Sequence, residues 1–208
     1  MYIVFEWTVG TGKTTQSKML VPWLQAHYPE KSVVWTREPG WSQIADDIRT
    51  IVQATPYTED MDSVCEAYLY ASSRAQTLRS LVWPILSQWG IVVSDRSFCS
   101  SITYQWVWLG LWFDTIMDIN RVAIQWHIPD LIFYIDLDPA LWLSRTFDQA
   151  WDKHELKSVD FFQQVRIGYH RLGQQDILKN KRHMIDGNRA IADIHDDICQ
   201  TIKPLLMI

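Results

Sequence analysis

Between an apolar run, Tyr2-Ile3-Val4-Phe5, and a helix expected over 13–27 lies Trp7-Thr8-Val9-Gly10-Thr11-Gly12-Lys13-Thr14-Thr15. Strand, glycine-bearing turn, Gly-Lys-Thr and helix is the order that a phosphate-binding loop requires. Such a turn aims successive backbone N–H groups inward, and the helix N-terminus adds its partial positive charge. Lys13 is then expected to reach the β- and γ-phosphates of a nucleotide, and the Thr14 hydroxyl to help hold Mg²⁺. The nine residues Trp7, Thr8, Val9, Gly10, Thr11, Gly12, Lys13, Thr14 and Thr15 are therefore candidates for binding ATP. The full pattern G-x-x-x-x-G-K-[ST] is met at every position but its first, where Trp7 stands in place of Gly.

Other groups with chemistry follow the later apolar runs. Arg37 follows 32–36, Asp95 and Arg96 follow 91–94, and Arg74 sits within a long helical pattern over 59–81. Parallel strands bring their C-terminal ends to one edge of a sheet, the edge where open α/β sheets bind ligands. Cations converging there on a phosphate loop suit two phosphorylated molecules, whose mutual repulsion must be neutralised from several sides. A guanidinium adds a planar fork that matches phosphate oxygens.

The elements needed to hold these groups are legible as periodicity. Strands are expected at 2–5, 32–36, 91–94, 131–135 and 183–185. Helices are expected at 13–27 (with a kink at Pro22), 42–54, 59–81, 98–108, 113–125, through Leu141 and Leu143, over 161–178, and from 191 to 202. Strands alternating with helices predict a parallel sheet covered on both faces. No repeat, low-complexity segment or linker divides the 208 residues, so a single α/β domain over 1–208 is expected. Its most polar stretch in the second half is 147–158.

Composition narrows the classes. A net charge of −5 argues against a general nucleic-acid surface. Cys65, Cys99 and Cys199 are scattered and odd in number, which suits neither a disulfide framework nor a zinc site and fits a reducing compartment. No apolar run approaches a membrane span, and no signal-like segment opens the chain, so a cytoplasmic protein without membrane contact is expected. One figure is odd: there are 12 Trp against 8 Gly, where average usage gives roughly 15 Gly in this length.

Phe5-Glu6, the loop through Gln16, Thr36-Arg37-Glu38-Pro39-Gly40, Asp95-Arg96-Ser97-Phe98-x-Ser100-Ser101, Tyr104-Gln105 and Pro129-Asp130-Leu131 together resemble the motifs of the thymidylate kinase family. Phe161-Phe162-x-x-Val165-Arg166-x-x-Tyr169 and Ile185-Asp186 carry the resemblance to the C-terminal end. It implies a P-loop α/β kinase with a five-stranded parallel sheet, helices on both faces and a short lid at about 147–158. The reaction implied is phosphoryl transfer from ATP to dTMP, giving dTDP toward dTTP, with Mg²⁺ and in a homodimer joined through helices around 63–81 and 98–108. Lys13, Arg96 and Lys153 are the candidates for neutralising the transferred phosphoryl group, and Thr14 and Asp95 for the metal. For the acceptor, the resemblance implies Arg37 beside the nucleoside monophosphate, Arg96 at its phosphate, Tyr70 stacked on the base, and Arg74 clamping that base. Ser100, Ser101, Tyr104 and Gln105 would line the base and sugar pocket, Tyr169 would close over the sugar, and Glu38-Pro39 would form a cis peptide.

Departures from the family pattern open alternatives. Val9 stands where a carboxylate usually meets the sugar hydroxyl, Thr11 where some members have Arg, and the lid segment offers only Lys153 and, at its edge, Arg145. Trp41, Trp106, Trp126 and Trp142 fall where relatives commonly have Gly. A nucleotide-binding homologue without activity fits Trp7 and Val9. A deoxynucleoside kinase, which needs a general base near a 5′-hydroxyl, could draw only on Glu6 in the loop region.

Overall fold

A computed structural model describes residues 1–53, 57–139, 141 and 158–206, with backbone alone for 107–109. Of the lid expected at about 147–158 only Ser158 is described; its cations Arg145 and Lys153, together with Trp142 and Leu143, lie outside the described residues.

Five parallel strands form one sheet in the order β2-β3-β1-β4-β5. They are β1 (Tyr2–Glu6), β2 (Val33–Arg37), β3 (Ile91–Asp95), β4 (Leu131–Asp136) and β5 (Arg182–Asp186). β1 is central and wholly buried, and its period of two feeds two cores. Tyr2 and Val4 point to one face with Val92, Ile132 and Tyr134. Ile3 and Phe5 point to the other with Val93, Leu131 and Phe133. A continuous apolar run is what a strand covered on both faces must be.

Helices α1 (Lys13–His27) and α8 (Ile191–Leu206) cover the second face, burying Leu20, Leu24, Ile194, Ile198 and Ile202 against it. The first face is covered by α5 (Phe98–Leu109), α6 (Phe113–Ile124) and α7 (Val159–Leu172), through residues such as Phe98, Ile102, Ile116 and Val165. α2 (Gln43–Gln53) and α3 (Ser63–Thr77) pack on one another, and α3 also packs against α5 and α6.

The boundaries differ from the expected ones where capping intervenes. The helix expected over 59–81 begins at Ser63, because Asp62 Oδ1 accepts hydrogen bonds from the Val64 and Cys65 amides and stops it there. At its other end it passes into a π-helical turn over Leu78–Val82 and then α4 (Trp83–Ser87). The helix expected over 161–178 starts earlier, at Val159, where Ser158 Oγ caps the Phe161 amide, and is followed by a separate 3₁₀ turn at Asp176–Leu178. α1 runs through Pro22 as one helix.

Candidate active site

The strand register assembles the site. Arg37 is opposite Asp95 across β2 and β3, and Phe5 is opposite Asp95 across β1 and β3. The chain therefore leaves three adjacent strands at one level, and the loops after them enclose a cleft of about 550 Å³.

Part of the cleft lining is the loop between β1 and α1. Gly10 and Gly12 have φ of 74° and 90°, a region that glycine enters without steric cost. Gly12 is the N-cap of α1 and brings no side chain to bond the first-turn amides, so those donors are left for a ligand. Val9, Gly10, Gly12, Lys13, Thr14 and Thr15 line the cleft. Lys13 is buried and its Nζ donates to the Thr8 carbonyl, while Thr11 Oγ1 donates to the same oxygen at 3.2 Å. Thr14 Oγ1 donates to Asp95 Oδ2, joining the helix start to the end of β3.

The lining also includes Arg37, Tyr70, Arg74, Arg96, Ser100, Ser101, Tyr104 and Gln105. Arg74 and Glu38 are both 3% exposed and meet at 2.6 Å. The remaining Arg74 donors bond Asn120 Oδ1, the Ser97 carbonyl at 3.3 Å and Ser101 Oγ at 2.9 Å. Burial pushes the Glu38 carboxyl up, against the pull of Arg74. The Glu38–Pro39 bond is cis, as the resemblance implies. Arg96, half-buried and with φ 78°, donates to the Trp7 carbonyl and to Ser100 Oγ, both at 3.0 Å. Its guanidinium lies 5.5 Å from the centre of the Tyr104 ring.

Four of the sequence candidates lie behind the cleft wall. Thr8 and Thr11, within the loop, are buried. Trp7 is fully buried and points into the core, its ring 5.1 Å from that of Tyr169 and 5.7 Å from that of Tyr134. The Tyr169 hydroxyl lies 3.0 Å from Glu6 Oε2 and 3.0 Å from Ser100 Oγ. Glu6, with no exposed surface, also accepts from Ser97 N and Oγ at 2.7 Å and from Ser100 Oγ at 2.6 Å. Its carboxylate is the anchor that ties β1, α5 and α7 together beneath the site.

Lys18, Arg49, Glu66 and Phe162 also line the cleft, although nothing in their spacing singled them out. Each lies on a helix, where periodicity separates buried from exposed positions but does not say which buried side faces a ligand.

A family model described as thymidylate kinase matches residues 5–198. The chain is 37% identical to the thymidylate kinase of Anoxybacillus flavithermus, over 99% of this chain and 98% of that one. It is 34% identical to that of Acinetobacter baylyi, over 99% of this chain and 100% of the relative. The crystal structure of thymidylate kinase from Ehrlichia chaffeensis has the same fold, with a TM-score of 0.78 at 27% identity and 98% of each chain covered.

Proposed function

The chain belongs to the thymidylate kinase family, and we propose that it transfers the γ-phosphoryl group of ATP to dTMP, giving ADP and dTDP. The single observation that carries this reading is the lining of the cleft. A glycine-rich helix N-terminus and the cations Arg37, Arg74 and Arg96 line one and the same space. ATP would lie with its phosphates on the 10–15 backbone, and Lys13 would turn from the Thr8 carbonyl to the β- and γ-phosphates. Arg37 and Arg96 would hold the acceptor phosphate, and Tyr70 and Arg74 the base, with Ser100, Ser101, Tyr104 and Gln105 around the base and sugar. The acceptor oxygen is already ionised, so catalysis is positioning plus neutralisation of the transferred group by Lys13, Arg96 and, from the lid, Lys153. Tyr169 would act through Glu6 and Ser100 rather than on the sugar.

The donor set beside the loop fits Mg²⁺, which keeps several waters and takes one or two carboxylate oxygens plus substrate phosphates. Asp95 Oδ2 and Thr14 Oγ1, already bonded to each other, would hold it. When bound, it neutralises charge on the donor phosphates. A cytoplasmic homodimer completes the proposal; Val64 (40% exposed) and Tyr68 (57%) offer apolar surface on α3.

A deoxynucleoside kinase needs a base that can accept a proton from a 5′-hydroxyl. Glu6 has no exposed surface and its oxygens are occupied by hydroxyl and amide donors, which disfavours that reading. The test is ADP release with dTMP, dUMP and thymidine side by side. Turnover with dTMP and none with thymidine is expected, and the reverse would replace this reading. ATP binding without transfer to any monophosphate would instead favour an inactive homologue.

A further inference from the structure

Six described residues other than glycine have positive φ, and three of them are tryptophan: Trp7 (144°), Trp41 (96°) and Trp89 (62°). Tryptophan makes up only 12 of the 208 residues, and a bulky side chain at positive φ is an outlier. Each of the three sits in a different local structure that calls for glycine. Trp89 follows α4, with Trp89 N donating to the Leu86 carbonyl and Gly90 N to the Ile85 carbonyl. That pair of bonds is the Schellman motif, whose left-handed residue is usually Gly; the indole there is 84% exposed. Trp41 follows Gly40, itself at φ 128°, in a turn of two consecutive positive-φ residues. Trp7 opens the phosphate loop, and its indole N–H is buried with no hydrogen-bond partner among the described residues.

Other tryptophans are at home. Trp35, on β2, donates its indole N–H to Ser17 Oγ at 3.0 Å. Trp23, inside α1, stacks on His27 with ring centres 4.2 Å apart. Neither has positive φ, and neither do Trp106 and Trp126, where the backbone makes no demand for glycine.

We propose that positions 7, 41 and 89 carry glycine in the protein made by its source cell, a codon written here as tryptophan being read there as glycine. Glycine at 7 is then a positioning residue of the phosphate loop, a part of the inference that rests on the kinase reading above. With no Cβ, it lets the chain turn from β1 into Thr8 at its observed φ without driving an indole between Tyr134, Tyr169 and His170. The 8 glycines of the written sequence, against roughly 15 at average usage, fit such an exchange.

Peptide mass spectrometry of protein purified from the native source tests this directly. Glycine is expected at 7, 41 and 89 with tryptophan at 23 and 35, and tryptophan at 7 would overturn the proposal. In the gene, one triplet shared by positions 7, 41, 89, 23 and 35 would overturn it too. In recombinant protein, Trp89→Gly should raise Tm whereas Trp35→Gly should lower it; an equal fall for both would show that the backbone at 89 does not call for glycine. Trp7→Gly should raise kcat/KM for ATP by on the order of 10²-fold, the scale attached to displacing a reacting group. Glycine in the native peptide with no such gain would leave the residue's identity intact and sink the role assigned to it in the loop.

Discussion

At the scale of single residues, two cations of the cleft answer differently to substitution. Lys13 lines the cleft and its Nζ donates to the Thr8 carbonyl, and Lys13→Ala should cut turnover by several orders of magnitude while leaving the fold intact. Circular dichroism and ADP release on the same preparation check this, and near-parent turnover would contradict it. Arg74 is different, because its partner Glu38 is as buried as itself. Removing one member of such a pair strands the other charge, at a cost of about 3–5 kcal/mol. Arg74→Ala is therefore expected to lower the unfolding midpoint sharply, and Arg74→Met with Glu38→Gln to recover much of the loss. In that double variant KM for dTMP should rise far more than KM for ATP. Equal rises would move Arg74 out of the acceptor pocket.

At the scale of elements, the site is built from strand ends and helix starts, and the caps decide where the helices begin. Asp62 caps α3 through two amide bonds at the surface, remote in sequence from the strand ends. Asp62→Ala should cost about 1 kcal/mol, read as a shift in denaturant midpoint at unchanged slope, with kcat unaffected. A loss of activity would show that the start of α3 reaches the cleft. Glu6 plays the complementary part inside: five hydrogen bonds from Ser97, Ser100 and Tyr169 converge on it, joining α5 and α7 to the end of β1. That arrangement explains why the Arg96 backbone can be held at φ 78°. Over-determined surroundings are what sustain a strained residue at a site.

Across the whole molecule, stability should depend on pH through groups that folding keeps in unfavourable surroundings. Burial pushes the His183 and His195 imidazoles down, so the unfolded chain binds protons there more readily than the folded one. Stability from these two is present above the ordinary histidine value of about 6.5 and falls as pH drops below it. Glu38 works the other way: its raised carboxyl withdraws stability as pH rises past the ordinary carboxylate range. Between about pH 7.5 and about pH 5.5, Tm should fall, and His195→Gln should make the fall shallower. A steeper fall in that variant would reverse the sign assigned here.

Local pattern sufficed for the parallel five-stranded sheet, the phosphate loop and the gathering of Lys13, Arg37, Asp95 and Arg96 on one edge. The loop follows from its Gly-Lys-Thr motif between strand and helix, and the others from local periodicity plus the geometric rule that parallel strands end together. Local pattern also located most helices, because the residues that bury them recur within a few positions of one another. The rest depends on contacts between distant parts of the chain. Glu38 and Asn120 meet Arg74 from 36 and 46 residues away, and Tyr169 reaches Glu6 across 163, separations that no spacing rule encodes. Such contacts also turned the Trp7 indole into the core rather than toward a nucleotide, since the space beneath the loop is set by Tyr134 and Tyr169 from two distant elements. Packing of remote surfaces, not local pattern, chooses among the directions that a backbone leaves open.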